Sequence, residues 1–269
     1  MDNNRFYFKK SLGQNFLTDR NIMAKIAGII LGLEPQRVFD IGPGEGRIAE
    51  MLAGRLPLVL IEKDERLIKD LENRLPGSVI INSDIRDIKL NDYAVCGNDL
   101  LFSNLPYSAS TSILQFLLRQ RPQFGNYILM FQREVARRLK APVNDSNYGF
   151  ISVFTQLHCR VKSLFTLPPS VFKPKPEVYS ELVHLVPVNK VYFRNEKEEQ
   201  EFYGFVKRAF SQKRKKLRSN IPALRIIEGE KGRLSQMRPH QVSPEEYLAL
   251  FTQIQAQSAC PAVHGRGPR

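Results

Sequence analysis

The stretch Arg37-Val38-Phe39-Asp40-Ile41-Gly42-Pro43-Gly44-Glu45-Gly46 decides how this chain is read. Its first half is a short apolar run of the kind that forms a buried strand. Glycines then stand at 42, 44 and 46, where they permit the positive backbone dihedrals of a tight turn and let a ligand come close to the main chain. Residues Arg47 to Arg55 resume an apolar pattern at helical spacing. Strand, glycine turn and helix together form one unit of a ligand-binding α/β fold, provided that neighbouring segments repeat the alternation.

They do. Upstream, Ile22, Ile26, Ile29, Ile30 and Leu33 predict a helix over Asn21 to Leu33 with Asp19 as its cap. Downstream, strands are expected over Leu58 to Ile61, Val79 to Ile81, Asp99 to Phe102 and Tyr127 to Phe131, with helices over Glu65 to Leu75 and Ser110 to Arg119. Such alternation implies an α/β fold, a doubly wound, mostly parallel Rossmann-like sheet covered on both faces. Asp40, Glu62, Asp84 and Asn104 each fall at or just after a strand end, the edge where ligands bind in such sheets. Residues 1–190 are therefore expected to form a cofactor-binding catalytic domain. A small helical domain is expected over 191–256, with helices at Glu196 to Phe210, Ser219 to Ile227 and Pro244 to Gln255. Residues 257–269 lack apolar periodicity and are expected to be a disordered tail.

Composition narrows the function classes. No apolar run approaches membrane-spanning length, and Met1 to Lys10 lacks the apolar region of a secretory signal. Cys96, Cys159 and Cys260 are far apart, and the four histidines are scattered, so neither a disulfide framework nor a metal site is expected. A reducing cytoplasm fits this usage. The net charge of +13 favours a polyanionic partner. Lys207, Arg208, Lys213, Arg214, Lys215, Lys216 and Arg218 form one basic cluster without an intervening acid. Arg133, Arg137, Arg138 and Lys140 form another at helical spacing, and both suit a phosphate backbone.

The residues also suggest a cofactor. Glu62 lies 20 residues beyond Gly42, at the end of the next strand, where a carboxylate accepts hydrogen bonds from ribose hydroxyls. The spacing Gly-Pro-Gly-Glu-Gly is not that of a dinucleotide loop, because Gly46 comes too early to pack helix against strand. Asp84 adds an acceptor for an adenine amino group, or else simply caps a helix. Ribose and adenine without a pyrophosphate describe S-adenosyl-L-methionine. Asn104-Leu105-Pro106-Tyr107 then suits methyl transfer to an exocyclic amine, whose lone pair is delocalised into the ring. The Asn104 side-chain oxygen and the Leu105 carbonyl would hold the amine protons, Pro106 would stiffen the turn, and Tyr107 would stack on an extruded base.

With these motifs in order, the chain resembles the ribosomal RNA adenine dimethyltransferase family from about Lys9 to about Asn220. The segment Lys9-Lys10-Ser11-Leu12-Gly13-Gln14-Asn15-Phe16-Leu17 is similar to its N-terminal cofactor motif, which implies that Asn15 and Leu17 contact the methionine end. Leu167 to Val178 is similar to a downstream motif, which implies that Phe172 sandwiches the target base opposite Tyr107. Ala209 to Arg218 resembles the family's basic motif, with Lys213, Arg214, Lys215 and Lys216 toward RNA. Asp40 and the Ser108-Ala109-Ser110-Thr111-Ser112 loop depart from the usual family residues. The resemblance implies a cytoplasmic, monomeric enzyme that dimethylates two adjacent adenines near the 3′ end of small-subunit rRNA in a pre-ribosomal particle. Alternatives are a large-subunit rRNA methyltransferase of the macrolide-resistance type, a non-catalytic RNA-binding assembly factor, and, disfavoured by the glycine spacing, an NAD-dependent oxidoreductase.

Overall fold

The computed structural model describes residues 15–93, 96–120, 124–188, 190–227, 229 and 231–259. In chain order these form β1 (Phe16–Leu17), α1 (Arg20–Gly32), β2 (Arg37–Ile41), α2 (Arg47–Leu52), β3 (Leu58–Glu62), α3 (Glu65–Arg74), β4 (Val79–Asn82) and β5 (Asp99–Asn104). There follow α4 (Ser110–Arg119), β6 (Asn126–Gln132), α5 (Arg133–Lys140), α6 (Phe150–His158), β7 (Cys159–Leu167), β8 (Phe172–Lys173) and β9 (Ser180–Pro187). The remainder is α7 (Glu196–Ala209), α8 (Leu217–Asn220), α9 (Leu224–Ile227), α10 (Arg233–Gln236) and α11 (Pro244–Ala259).

The chain divides into two compact units. The first comprises the described part of Met1–Arg137 with Cys159–Val188, and the second Arg138–His158 with the described part of Asn189–Arg269. The expected division at 190 is thus corrected for Arg138–His158. That segment belongs to the second unit because its Phe154 ring packs 4.5 Å from Tyr203 and its Tyr148 hydroxyl donates to the Val242 carbonyl at 3.1 Å.

In the first unit a seven-stranded sheet runs β4-β3-β2-β5-β6-β9-β7. Strands β4, β3, β2, β5 and β6 are mutually parallel, and β9 pairs antiparallel with both β6 and β7. The parallel centre explains why Val38, Phe39, Leu58–Ile61 and Leu100–Phe102 are apolar without alternation, since both sheet faces are covered. Asp19 caps α1 by accepting from the Ile22 amide at 3.0 Å, and the helix buries Met23, Ile26, Ala27 and Ile30. A separate two-stranded ribbon pairs Phe16 with Lys173 and Leu17 with Phe172.

The second unit has an aromatic core, in which Phe193, Phe202, Tyr203, Phe205, Tyr247 and Phe251 are all buried. Within it, His158 Nε2 lies 2.7 Å from the Tyr203 hydroxyl and 3.3 Å from the Glu199 carboxylate. The helix expected over Ser219 to Ile227 is two short helices instead, because Pro222 lacks an amide hydrogen to continue the first. The expected tail also begins too early: α11 continues to Ala259, while 260–269, Cys260 among them, lie outside the described residues.

Candidate active site

The glycine turn is built as its composition requires. Gly42, Gly44 and Gly46 have φ values of +67°, +58° and +72°, a region that favours glycine. A Cβ at Gly44 would lie 2.5 Å from the Phe16 ring, and one at Gly46 would lie 2.6 Å from Leu71 Cδ2. Gly46 therefore has a packing role after all, against α3. Gly42 differs from both: no atom lies within 4 Å of the place a Cβ would take, so its face is open to a ligand.

That open face belongs to a cavity of about 220 Å³ at the carboxyl edge of the parallel strands. Asn15, Gly42, Glu62, Asp84, Asn104, Leu105 and Pro106 all line it. Leu17 lines a smaller adjoining cavity instead, together with Asp40, Gly42 and Asn104. Tyr107 and Phe172 are among the lining residues of neither. The Tyr107 hydroxyl is hydrogen-bonded to Ser180 Oγ, and burial raises its pKa. Phe172 is only 4% exposed, within the hydrophobic cluster that also contains Leu17 and Val171. Its ring packs within that cluster, and its backbone pairs with Leu17 of β1.

Glu62 closes β3 and is 5% exposed. Its Oε2 accepts from the Gly44 amide at 3.0 Å and its Oε1 from the Asp64 amide at 2.7 Å. Burial raises its pKa, opposed by those backbone donors. A carboxylate has more acceptor directions than the Gly44, Asp64 and Lys63 amides use, which leaves capacity for a hydroxyl donor. Asp84 both lines the cavity and caps a turn, accepting from the Arg86 amide at 3.0 Å. Arg86 Nε at 3.0 Å, Arg86 Nη2 at 2.6 Å and Lys63 Nζ at 2.8 Å also donate to it, and the Arg86 side chain leads in holding the carboxyl well below the usual range. Asp84 is thus a permanent carboxylate.

Asn104 ends β5, and its Nδ2 donates to the Asn15 carbonyl at 2.8 Å. The donor end of the amide is committed, which leaves Oδ1 as an acceptor on the cavity wall. The residues fit S-adenosylmethionine: an open glycine face, a carboxylate at the strand end, and Ile61, Ile85 and Ile113 as apolar lining for a purine.

Asp40 lies beneath the turn, with Oδ1 buried and without a hydrogen-bond partner. Burial, then the nearby Glu62 charge, push its carboxyl up to about 8. An unfolded aspartate titrates near 4. Between about pH 4 and 8 the folded chain therefore holds a proton that the unfolded chain has lost. The stability Asp40 contributes is full below about pH 4 and disappears as pH rises through 8. Asp40→Asn mimics the protonated form, so its melting temperature is expected to fall less than the wild type's between pH 5 and 8, by several degrees at roughly 2–4 °C per kcal/mol. Parallel melting profiles for the two proteins would remove Asp40 as the proton holder.

Phe16, Lys63, Arg86 and Ser180 escaped the sequence reading. Lys63 and Arg86 adjoin residues singled out by strand ends, so their proximity was a usable signal. Ser180 had none, being 73 residues from Tyr107. Among the described residues no group of three or more His, Cys, Asp or Glu is placed to hold a metal, and no helix is long and apolar enough to cross a membrane.

A parallel sheet with a glycine turn, a strand-end carboxylate and an Asn-Leu-Pro-Tyr loop on one cavity defines the class of S-adenosylmethionine-dependent methyltransferases. The model of the ribosomal RNA adenine dimethylase family matches residues 5–256, and the chain belongs to that family. It is 36% identical over 247 residues to a ribosomal RNA small subunit methyltransferase A of Chlorobium phaeobacteroides, covering 91% of this chain and 93% of that one. Among solved structures, a dimethyladenosine transferase from Plasmodium falciparum superposes with a TM-score of 0.75 at 23% identity, over 90% of this chain and 98% of that one. The 23S rRNA methyltransferase ErmE gives 0.59 at 22% identity, over 89% and 99%. These two likenesses concern the fold.

Proposed function

We propose that this protein transfers methyl groups from S-adenosylmethionine to the N6 amine of two adjacent adenines near the 3′ end of small-subunit rRNA. The observation that carries the reading is the Asn104 amide, turned by the Asn15 carbonyl so that its oxygen is the free end on the cavity wall. When bound, the cofactor supplies an electrophilic methyl group on a sulfonium. Glu62 accepts from its ribose hydroxyls, and Asp84 takes up the adenine end. Asn104 Oδ1 and the Leu105 carbonyl accept hydrogen bonds from the two N–H groups of the target amine and aim its lone pair; one of those protons is lost to solvent once the C–N bond has formed. No strong base is required, because positioning for in-line displacement supplies most of the rate. Tyr107, held by Ser180, borders the target base.

The RNA contacts are assigned within each unit separately. Arg133 and Arg137 stand one helical turn apart on α5 and are exposed, while Ala136 and Leu139 of the same helix are buried. In the basic cluster, Arg214 and Lys215 are exposed; Lys213 donates to the Ser146 carbonyl and Lys216 to Gln236 Oε1. Replacing Lys213 to Lys216 with glutamine is expected to weaken RNA binding and flatten its salt dependence. The log–log slope should drop by about 0.7–0.9 for each phosphate that is no longer neutralised, chiefly those facing Arg214 and Lys215. An unchanged slope in filter-binding titrations would reduce the cluster to a solvated surface.

The substrate is taken to be a pre-ribosomal particle, the enzyme a monomer, and the compartment a reducing cytoplasm. Support for the last comes from Cys96 and Cys159, both free thiols. Methylation of purified small and large subunits, assayed separately with labelled cofactor, tests the reading. Label on the small subunit alone is expected; label confined to the large subunit would overturn it.

A further inference from the structure

Tyr179 has no part in the site described above, yet it is the one exposed Phe or Tyr among the described residues, at 49%. A half-exposed ring beside an arginine at a strand-end edge presents a face on which a base can stack. It ends the loop between β8 and β9, immediately before Ser180, which is bonded to the Tyr107 hydroxyl. Its carbonyl accepts from the Arg133 amide at 2.9 Å, and the Arg133 guanidinium lies 6.0 Å from its ring centroid. Sheet register sets the location: Asn104 pairs with Met130, and Gln132, two residues further on, pairs with Ser180. The ring therefore stands just past the edge that carries Asn104, about two strand spacings, or roughly 10 Å, to one side.

We propose that Tyr179 is a stacking platform for a base beside the target adenine, with Arg133 binding the phosphate of that nucleotide. The inference rests on the RNA-methylation reading above. An exposed ring stacks on any base, so it steadies a strand without reading its sequence. A guanidinium near the ring adds cation–π attraction and keeps its N–H fork available to a phosphate. With Phe172 buried and Tyr107 assigned to the target base, Tyr179 supplies an exposed aromatic surface for its neighbour. It is a substrate-positioning residue, remote from the reacting atoms.

The chain contains no tryptophan, so Tyr179→Trp introduces a single indole at the proposed platform. Titrating that variant with a short RNA hairpin carrying two adjacent adenines in its loop should quench its emission. Anisotropy of the end-labelled hairpin reports binding independently. In methylation of small subunits, Tyr179→Ala should raise KM about tenfold with kcat within about twofold, while Tyr179→Phe and Tyr179→Trp keep the wild-type KM. Arg133→Gln should lower the salt slope of hairpin binding by about one. Unquenched emission while anisotropy reports saturation, or a wild-type KM for Tyr179→Ala, would overturn the proposal. Failure of the wild-type protein to methylate small subunits would overturn the functional reading, and the hairpin titration would still read stacking.

Discussion

Asn104→Ala should lower kcat by at least about 100-fold, roughly 2.7 kcal/mol of transition-state stabilisation, while the dissociation constant for S-adenosylmethionine changes only a few-fold. The asymmetry follows from the two ends of the amide. On the proposed reading, Oδ1 would meet the target amine only while that amine is being aimed at the methyl carbon, so its loss would fall on the chemical step. Nδ2 holds the Asn15 carbonyl, a neutral hydrogen bond worth about 1 kcal/mol, so its loss is a minor disturbance of the cofactor wall. Asn104→Asp is expected to be no better than alanine. It retains acceptors but sets a carboxylate oxygen against the Asn15 carbonyl. Single-turnover rates on small subunits, with calorimetric cofactor titrations, check both halves. A kcat within a few-fold of wild type would mean that Asn104 does not orient the amine.

Glu62→Ala should weaken cofactor binding about 100-fold. Two ribose hydroxyls donating to a charged acceptor are each worth about 1.5 kcal/mol, which together make that factor. The same carboxylate accepts from the Gly44 and Asp64 amides, so alanine also strands two buried donors. Thermal melts without cofactor measure that structural cost, and the further rise in melting temperature on adding cofactor isolates binding. Glu62→Gln, which keeps one acceptor oxygen, should fall between alanine and wild type. A folded Glu62→Ala protein with unchanged affinity would remove the ribose contact.

The parallel half of the sheet was legible because its strands are short apolar runs, buried in β2, β3, β5 and β6, with a polar residue at or near the carboxyl end. That is why Asp40, Glu62, Asp84 and Asn104 could be placed at strand ends from the residues alone. The antiparallel strands were harder. In β7 burial is irregular and a register shift falls between Ser163 and Phe165, so no clean alternation survives. The assignment of α6 to the second unit depends on its rings meeting Tyr203, a contact that helical periodicity does not encode. Phe172 shows the same limit. A motif identifies a phenylalanine, but the partner β1 chosen by the folded chain decides whether its ring is exposed. Asp84 combined two readings that the sequence set apart, being a turn cap and a wall of the cavity at once.

The Asn15–Asn104 hydrogen bond spans 89 residues, and the strand that begins beside Asn15 pairs, among the described residues, with Phe172 and Lys173. Contacts so distant in sequence form after the local βα units, because loop closure must be met before they reward the chain. A molecule whose central strands have assembled while β1 is still loose thus has a crevice for the cofactor but no oriented acceptor beside it. On the proposed reading of Asn104, competence for methyl transfer would therefore be acquired late in folding, with the docking of β1.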